Sequence, residues 1–206
     1  KQWELYTPSK YNNVPSHYAI NNAHLKTISL DDGSFVTLAS RKKESLNIES
    51  QILLFKFNPE GEIEWEYLYE DSLSISEYPL DINMDIEGNI LVAGRITTGF
   101  QDDYGFPLEV SNYILFKLTP EAELVWTREI EGADYFTNYC KSISTDSLGY
   151  IYTMGKIDQN NNSWAIVNKL DNQGNEIWKK KIDIEIGGVE VIGDITSKNA
   201  HAVFKL

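Results

Sequence analysis

Apolar residues recur along this chain in short runs, each of which carries one lysine and is followed by a turn and a tryptophan. The clearest copy is YILFKLTPEAELVW at residues 113–126, and related copies lie at 51–65 and 164–178. The tryptophan follows the lysine by nine residues in every copy, in the pairs Lys56 and Trp65, Lys117 and Trp126, and Lys169 and Trp178. A repeat with fixed internal spacing predicts one supersecondary unit that is used several times.

A strand led by a glycine precedes each apolar run. The leading residues are Gly33, Gly88, Gly149 and Gly187, and the residues six positions later are Ala39, Gly94, Gly155 and Gly193. A small residue at a fixed strand position allows a neighbouring backbone to approach closely. A further extended run comes before three of the leading glycines, at 25–30, 80–84 and 141–145. Each of these three repeats therefore has four predicted strands, which we call A, B, C and D in chain order.

Strands B and C are nearly continuous apolar runs, which predicts that both of their faces are buried. Repeats of about 40–60 residues with four strands each are typical of β-propellers, in which sheets stack face to face around an axis. We therefore predict an all-β fold, a β-propeller of four-stranded antiparallel blades, with about four blades in this chain or with the chain as part of a larger propeller. The predicted blades of a single domain 1–206 are approximately 25–69, 80–130, 141–182 and 183–206, the last completed by 1–6.

The fourth repeat departs from the other three. Lys205 stands where a fourth lysine is due, but only nine residues lead from Trp178 to the next leading glycine, where the earlier repeats have 23. If Trp3 takes the place of the fourth tryptophan, the N-terminal strand 2–6 completes the last blade. The alternative is that these residues are a fragment of a larger propeller.

Three segments carry a resemblance to a known family: GNILVAG, YILFKL and GNEIW. They resemble the bacterial β-propeller repeats called SBBP, and they are similar to the broader quinoprotein-like and tryptophan-aspartate propellers. The resemblance covers nearly the whole chain after residue 25. It implies a binding or scaffolding module, because most members of these families are of that kind. The tryptophan-docking motif of the quinoprotein enzymes is not evident, so the resemblance implies no cofactor.

Composition narrows the choice of partner and compartment. The net charge of −13 disfavours nucleic acid, because phosphate binding needs clustered Lys and Arg. No apolar run approaches the ~20 residues that span a bilayer, so we predict no membrane span. Cys140 is the only cysteine, so no intrachain disulfide can form. The sequence begins with Lys1 rather than methionine, and we expect a secreted or cell-envelope protein (periplasmic or at the outer-membrane surface) whose signal or anchor segment is absent from this sequence.

The connections between strands are unequal in length. The A–B turns (31–33, 85–88, 146–149) and the C–D turns (58–61, 119–122, 171–174) are short. The B–C loops (41–50, 97–111, 158–162) and the D–A links (7–23, 70–79, 131–139) are longer. In an up-and-down blade these two classes emerge at opposite ends, which predicts a tight face and a long-loop face. Long loops on a rigid scaffold commonly carry binding sites.

The long loops are rich in aromatic and acidic residues, which suit a glycan or an extended peptide. The candidate ligand-binding residues are Tyr78, Asp102, Asp103, Tyr104, Phe106, Tyr135, Phe136 and Trp164. Each of these aromatic rings could instead fill a gap between neighbouring blades. The repeated tryptophans are predicted to fill such gaps, and the repeated lysines to lay their stems on apolar surface with solvated or carboxylate-paired heads.

Motifs for catalysis are poor in this sequence. The three histidines lack metal-site spacing, and no Gly-x-Ser-x-Gly elbow is present. The adjacent aspartates at 31–32 and 102–103 lack the alternating spacing of a calcium loop, so we predict no metal and no cofactor. We expect a non-catalytic binding or scaffold module of the bacterial cell envelope or exterior, with a protein or glycan partner. Two alternatives stay open, a structural subunit of a larger envelope assembly and a carbohydrate-active lyase or hydrolase that uses Asp102, Asp103, Glu131 and Asp134.

Overall fold

A computed structural model describes residues 26–41, 50–101, 107–130, 139–159, 162–182, 190–191 and 204–205. For the strand ends at 100–101, 107–109, 139, 158–159, 162–163, 190–191 and 204–205, the backbone alone is described. Within these ranges the chain forms three four-stranded antiparallel sheets and one two-stranded sheet, and it contains no helix.

The three complete sheets have the same simple topology, with strands that are neighbours in sequence also neighbours in the sheet. The first sheet contains β1 (Lys26–Ser29), β2 (Phe35–Arg41), β3 (Gln51–Phe57) and β4 (Ile63–Leu68). The second contains β5 (Ser74–Met84), β6 (Ile90–Gln101), β7 (Pro107–Leu118) and β8 (Leu124–Ile130). The third contains β9 (Tyr139–Thr145), β10 (Ile151–Gln159), β11 (Asn162–Leu170) and β12 (Glu176–Ile182). The predicted order of strands A to D in each repeat is confirmed.

The two-stranded sheet reproduces the register of the complete blades. It pairs β13 (Glu190–Val191) with β14 (Phe204–Lys205), and Lys205 stands opposite Glu190. In the complete sheets the repeated lysine likewise pairs with the residue three positions after the leading glycine, as in Lys56 with Val36 and Lys117 with Leu91. Strands B and C of a fourth repeat are therefore present. The closing strand 2–6 lies outside the described residues, and closure of the ring stays a prediction.

Two apolar layers of the described core lie between successive sheets, and a third, smaller cluster around Met154 and Ala165 belongs to the third sheet. Ile90 and Val92 face the layer shared with the first sheet, and Leu91 and Ala93 face the layer shared with the third. All four side chains are fully buried. The predicted burial of both faces is confirmed for strand B of the second blade, because alternate residues of that strand pack in opposite directions against two different sheets.

The six short turns share one backbone hydrogen bond. The N–H of the first residue donates to the carbonyl of the residue four positions later, and in the turn at 85–89 the N–H of Asp85 lies 2.9 Å from the carbonyl oxygen of Asn89. Aspartate side chains close three of the turns, since Oδ1 of Asp85, of Asp146 and of Asp171 each accepts two backbone N–H groups of its own turn. Five of the turns use a glycine at a φ near +80°, and Ala122 takes this place in the sixth with a φ of 68°.

Three of the predicted loops are wrong in extent. Most of the B–C loop at 97–111 is strand, because β6 runs to Gln101 and β7 begins at Pro107. The D–A link at 70–79 becomes β5 from Ser74, and the B–C loop at 158–162 is a tight hairpin in which Gln159 pairs with Asn162. These strands were missed because their side chains are largely polar. The hydrogen-bonded pairing of these strands continues beyond the apolar core. Strand residues outside the core do not have to be apolar, so the sequence shows no apolar pattern there.

Candidate functional site

The two faces of the blades follow from strand register. In the second sheet one row of paired residues consists of Met84, Ile90, Leu118 and Leu124, and both short turns of that blade project from this row. The first and third sheets have equivalent rows. The tight face is therefore confirmed for the three described blades, and the B–C and D–A connections leave from the opposite, long-loop face.

The strands of the second blade extend further toward the long-loop face than the described strands of the other two blades. Counted from the tight face, β2 has seven residues, β10 has nine and β6 has twelve. We call the projecting paired segments 74–76, 97–101 and 107–111 the arm. At about 3.4 Å per residue, the five extra residues of β6 extend it about 17 Å beyond the end of β2. The pairing of β6 with β7 continues without a register shift to Gln101 opposite Pro107.

The root of the arm is polar and buried. Glu77 is 1% exposed, and its Oε1 accepts hydrogen bonds from the Ser74 hydroxyl and from the N–H of Asp71. The N–H of Glu77 donates to the carbonyl of Ser50 at 2.9 Å, which ties the arm to the first blade. The nearby hydroxyls of Thr97 and Ser111 are hydrogen bonded to each other at 3.0 Å.

This root escaped the sequence analysis. A signal was present, since SISE at 74–77 places three polar residues around one isoleucine, directly before an apolar strand. The carboxylates of Asp71 and Glu77 also affect the pKa of the Tyr69 hydroxyl. Burial, followed by the charges of Asp71 and Glu77, raises the pKa of Tyr69 far above its ordinary value. The Tyr69 hydroxyl is therefore protonated at neutral pH.

Two of the predicted ligand-binding residues fall within the described side chains. Tyr78 lies in strand β5 rather than in a loop, and the guanidinium of Arg95 lies 4.2 Å from the centre of its half-buried ring. Trp164 lies in β11, packs against the core layer between the second and third sheets, and has the ammonium of Lys181 at 4.9 Å from its ring. Each of these rings is thus in contact with a cation of its own chain.

The other six predicted ligand-binding residues lie outside the described residues: Asp102, Asp103, Tyr104, Phe106, Tyr135 and Phe136. Four of them belong to the connection 102–106 between the paired ends of β6 and β7, at the end of the arm. The last two belong to the D–A link that follows β8. Their role in binding stays a prediction, as does that of Tyr78 and Trp164. The carboxylates of the enzymatic alternative, at 102, 103, 131 and 134, also lie outside the described residues.

Two of the repeated tryptophans, Trp65 and Trp126, join successive blades, as predicted. Nε1 of Trp65 donates to the carbonyl of Pro120 at 3.0 Å, and Nε1 of Trp126 donates to the carbonyl of Asn172 at 3.2 Å. Both acceptors lie in the C–D turn of the next blade. The position of Trp3 is outside the described residues.

The repeated lysines also behave largely as predicted. Nζ of Lys117 lies 2.6 Å from Oδ2 of Asp85, and both side chains are 3% exposed. Nζ of Lys56 lies 2.8 Å from the carboxylate of Glu64. The ammonium of Lys169 instead lies 3.7 Å from the centre of the Tyr150 ring. Two of the three described lysines therefore have the predicted carboxylate-paired heads.

One carboxylate joins the first strands, β1, β5 and β9, of the three complete sheets. Oδ1 of Asp81 lies 2.8 Å from Nζ of Lys26 in β1, and Oδ2 of Asp81 accepts the N–H of Ile143 in β9 at 2.8 Å. Asn83 adds a second link, since its Nδ2 donates to the carbonyl of Ile143 at 3.0 Å. Asp81 is thus occupied by structural contacts at both oxygens.

The described residues include one cysteine and no cluster of three potential metal ligands. Cys140 is fully buried, and this burial raises the pKa of its thiol to about 12, so it is not a thiolate nucleophile at neutral pH. Across the described ranges, no three His, Cys, Asp or Glu side chains come close enough together to hold a metal ion. Within the same ranges the chain has no helix of the length and hydropathy that a membrane crossing requires.

The ion pair of Asp85 and Lys117 leads to a prediction about acid stability. Burial raises the pKa of Asp85, but hydrogen bonds from Lys117 and Asn89 outweigh it, so the pKa lies below the ordinary value of 3.8. A carboxyl whose pKa is lower in the folded than in the unfolded state stabilises the fold fully at a pH above the unfolded-state pKa. This stabilisation is lost as the pH falls from the unfolded-state pKa through the folded-state pKa. Urea unfolding of the wild type should therefore show a free energy of unfolding that falls as the pH is lowered from 5 to 3.

The double variant Asp85→Asn/Lys117→Met removes this titrating pair without leaving one buried charge alone. Its free energy of unfolding should fall less steeply over the same pH range than that of the wild type. Asp171→Asn is the control, because that carboxyl is nearer the surface and solvent screens its contribution. Equal slopes for the double variant and the wild type would contradict the assignment.

Comparison with known proteins bears on the repeats rather than on the site. No curated protein matches the sequence. Among the solved structures that resemble the chain is a mannose phosphorylase from Leishmania mexicana in complex with phosphate ion, at 10% identity and a TM-score of 0.46. The similarity covers 76% of this chain and 54% of that one, so this chain matches about half the length of that protein. A similarity this low carries no argument about activity.

A family model gives the more informative match. Residues 125–161, from strand β8 to the B–C connection of the third blade, match the model described as SBBP, a beta-propeller repeat. This stretch includes the start of the third blade, where strands A and B were predicted from the sequence. The match confirms the predicted resemblance for this stretch: residues 125–161 are similar to a β-propeller repeat of the SBBP kind.

Proposed function

We propose that this chain is a non-catalytic binding module of the bacterial cell envelope or exterior, and that its long-loop face recognises a protein or glycan partner. The observation that carries the proposal is the arm of the second blade. Its strands continue past the ends of the described strands of the neighbouring blades, and the side chains of this extension are largely polar. A projection of this kind on a rigid scaffold is where binding residues are commonly placed.

The construction of the arm suits recognition. The ladder of β6 and β7 is continuous to its end, and the root is fixed by the bond from Glu77 to Ser50 and by the stacking of Arg95 on Tyr78. A rigid support reduces the ordering entropy that binding would otherwise cost. The connection at its end contains two aspartates, a tyrosine and a phenylalanine. Aromatic rings and carboxylates together can stack on a sugar or a peptide and bond its polar groups.

The assignment to the bacterial envelope or exterior rests on the resemblance to bacterial SBBP repeats. The description as a binding or scaffold module rests on the same resemblance and on the arm. The protein and glycan classes of partner are separated by the experiment below.

The test is a triple variant, Tyr104→Ala/Phe106→Ala/Tyr135→Ala, compared with the wild type on two sets of probes. The first set is a panel of bacterial envelope polysaccharides with purified peptidoglycan, and the second is the purified envelope proteins of the source bacterium, immobilised singly. The wild type should bind at least one probe, and the triple variant should bind it at least about tenfold more weakly because aromatic anchors dominate such contacts. If these rings serve binding rather than packing, the melting temperature should change by less than about 2 °C.

The control variant is Glu60→Ala/Gln173→Ala, which removes two exposed side chains from the tight face. It should bind like the wild type. The proposal fails if the folded triple variant keeps the affinity of the wild type, or if the wild type binds none of the probes.

A further inference from the structure

Exposed apolar side chains are concentrated on the face opposite to the arm. Seven large hydrophobic side chains are exposed in the part of the chain that the structure describes. Six of them belong to the turns or to the first two strand residues at the tight face: Ile63, Ile86, Leu124, Val125, Leu148 and Ile177. The seventh, Leu73, lies on the long-loop face. Single exposed apolar residues need no explanation, but clusters of them commonly mark interaction surfaces.

Two of these side chains form one apolar step across the seam between the second and third blades. Ile86 is 61% exposed and Leu148 is 77% exposed, each in the A–B turn of its blade. A Cβ placed on Gly149 would lie 3.5 Å from Cδ1 of Ile86, so the Ile86 side chain reaches the turn that contains Leu148. The hydroxyl of Thr145 donates to the carbonyl of Met84 at 2.9 Å, which holds the two turns side by side.

This apolar step lies in a strongly acidic surface. The six turns at 30–34, 58–62, 85–89, 119–123, 146–150 and 171–175 contain ten Asp or Glu residues and no Lys, Arg or His. Some of these carboxylates are occupied, as Asp85 is by Lys117 and as Asp146 and Asp171 are by their own turns. Six others are exposed at the tips of the turns: Asp31, Glu60, Glu62, Glu87, Glu121 and Glu123.

We propose that the tight face is a second binding surface and that its partner is a basic amphipathic polypeptide segment. Apolar side chains of the segment would pack on Ile86 and Leu148, and its Lys or Arg residues would pair with Glu87, Glu121 and the neighbouring carboxylates. Charge complementarity selects this occupant, because the acidic rim repels nucleic acid and anionic lipid surfaces. The proposal concerns the face opposite to the arm, so it goes beyond the function proposed above.

The test uses the full chain and two synthetic peptides of equal length and charge. One carries leucines at helical spacing among lysines, and the other has serine in place of every leucine. Fluorescence anisotropy should show that the wild type binds the leucine–lysine peptide at least about tenfold more tightly than the serine–lysine peptide. Ile86→Ser/Leu148→Ser should reduce this preference to less than about twofold, since the difference between the peptides is apolar contact. Glu87→Lys/Glu121→Lys should weaken the binding of both peptides and reduce its salt dependence.

The matched control is Leu73→Ser, because Leu73 is 78% exposed on the other face. This variant and the triple variant of the arm should both bind the leucine–lysine peptide like the wild type. The proposal is overturned if both peptides bind the wild type equally, which would mean attraction by net charge alone. It is also overturned if the Ile86→Ser/Leu148→Ser variant keeps the full preference. Neither result bears on the arm, so the two proposals fail separately.

Discussion

Replacing Asp81 with asparagine is expected to lower the free energy of unfolding by about 1–3 kcal/mol, because the amide cannot accept hydrogen bonds from all the donors that the buried carboxylate satisfies. Asp81 is 4% exposed and accepts the Ile143 N–H with one oxygen while it pairs with Lys26 through the other. An asparagine must turn its NH₂ group toward one of these two donors. The side chain of Lys26 is 38% exposed, so solvent screening reduces the contribution of the ion pair to the free energy of unfolding. The hydrogen bond from the buried N–H of Ile143 contributes more.

Urea unfolding monitored by tryptophan fluorescence measures this effect. Asp171→Asn is the control. Asp171 lies nearer the surface, and its carboxylate accepts hydrogen bonds within its own turn rather than between two blades. Its effect should stay within about 1 kcal/mol. An Asp81→Asn variant that is as stable as the wild type would show that the strands β1, β5 and β9 do not depend on this carboxylate.

Gly94→Ala is the second change with a large expected effect, a loss of about 2–4 kcal/mol, because overpacking at a rigid site forces the backbone to move. A Cβ at this position would lie 2.7 Å from the carbonyl oxygen of Tyr78 and 2.9 Å from Cδ1 of Ile52. The first of these atoms belongs to the backbone of β5 and cannot rotate away. The fixed small residue six positions after the leading glycine therefore has a physical cause at this repeat, which the sequence analysis anticipated as a close backbone approach.

The control for Gly94 is Gly88→Ala, which tests conformation without crowding. Gly88 has a φ of +83°, and no atom lies within 4 Å of a Cβ built there. The strained φ of an alanine at this position should by itself lower the free energy of unfolding by about 1 kcal/mol. The melting temperatures should therefore rank wild type, Gly88→Ala and Gly94→Ala in descending order. Adding Ile52→Val to Gly94→Ala should recover little, because the closest atom is the Tyr78 carbonyl. Full recovery, or the reverse ranking, would contradict the close approach.

Sequence patterns predicted the features of the fold that repeat. The fixed lysine-to-tryptophan spacing exists because the lysine and the tryptophan stand opposite each other in neighbouring strands, as Lys117 and Trp126 do. The short turns were predictable because each needs a residue at positive φ, which favours glycine. Burial on both faces followed from the apolar runs. All of these features depend on residue types that recur at the same positions in each repeat.

Features that occur once in the chain were harder to predict. The arm was missed because its strands carry polar side chains that the core does not select, such as the hydroxyl pair of Thr97 and Ser111. Asp81 gave no signal in the sequence, since its partners lie 55 and 62 residues away. The apolar step of Ile86 and Leu148 was not predicted either, because each is a single apolar residue in a polar turn and belongs to no periodic pattern. The predicted ligand-binding residues of the loops remain predictions for the same reason, as no repeated constraint fixes them.

Amide hydrogen exchange measures most directly which face of this protein binds the proposed partner. The full chain would be compared alone and when saturated with the polysaccharide or envelope protein that the wild type binds. The proposed function predicts slower exchange at residues 97–111 and 131–139, with unchanged exchange in the turns at 85–89 and 146–150. Protection confined to those turns, or no protection at 97–111 in a saturated complex, would contradict binding by the long-loop face.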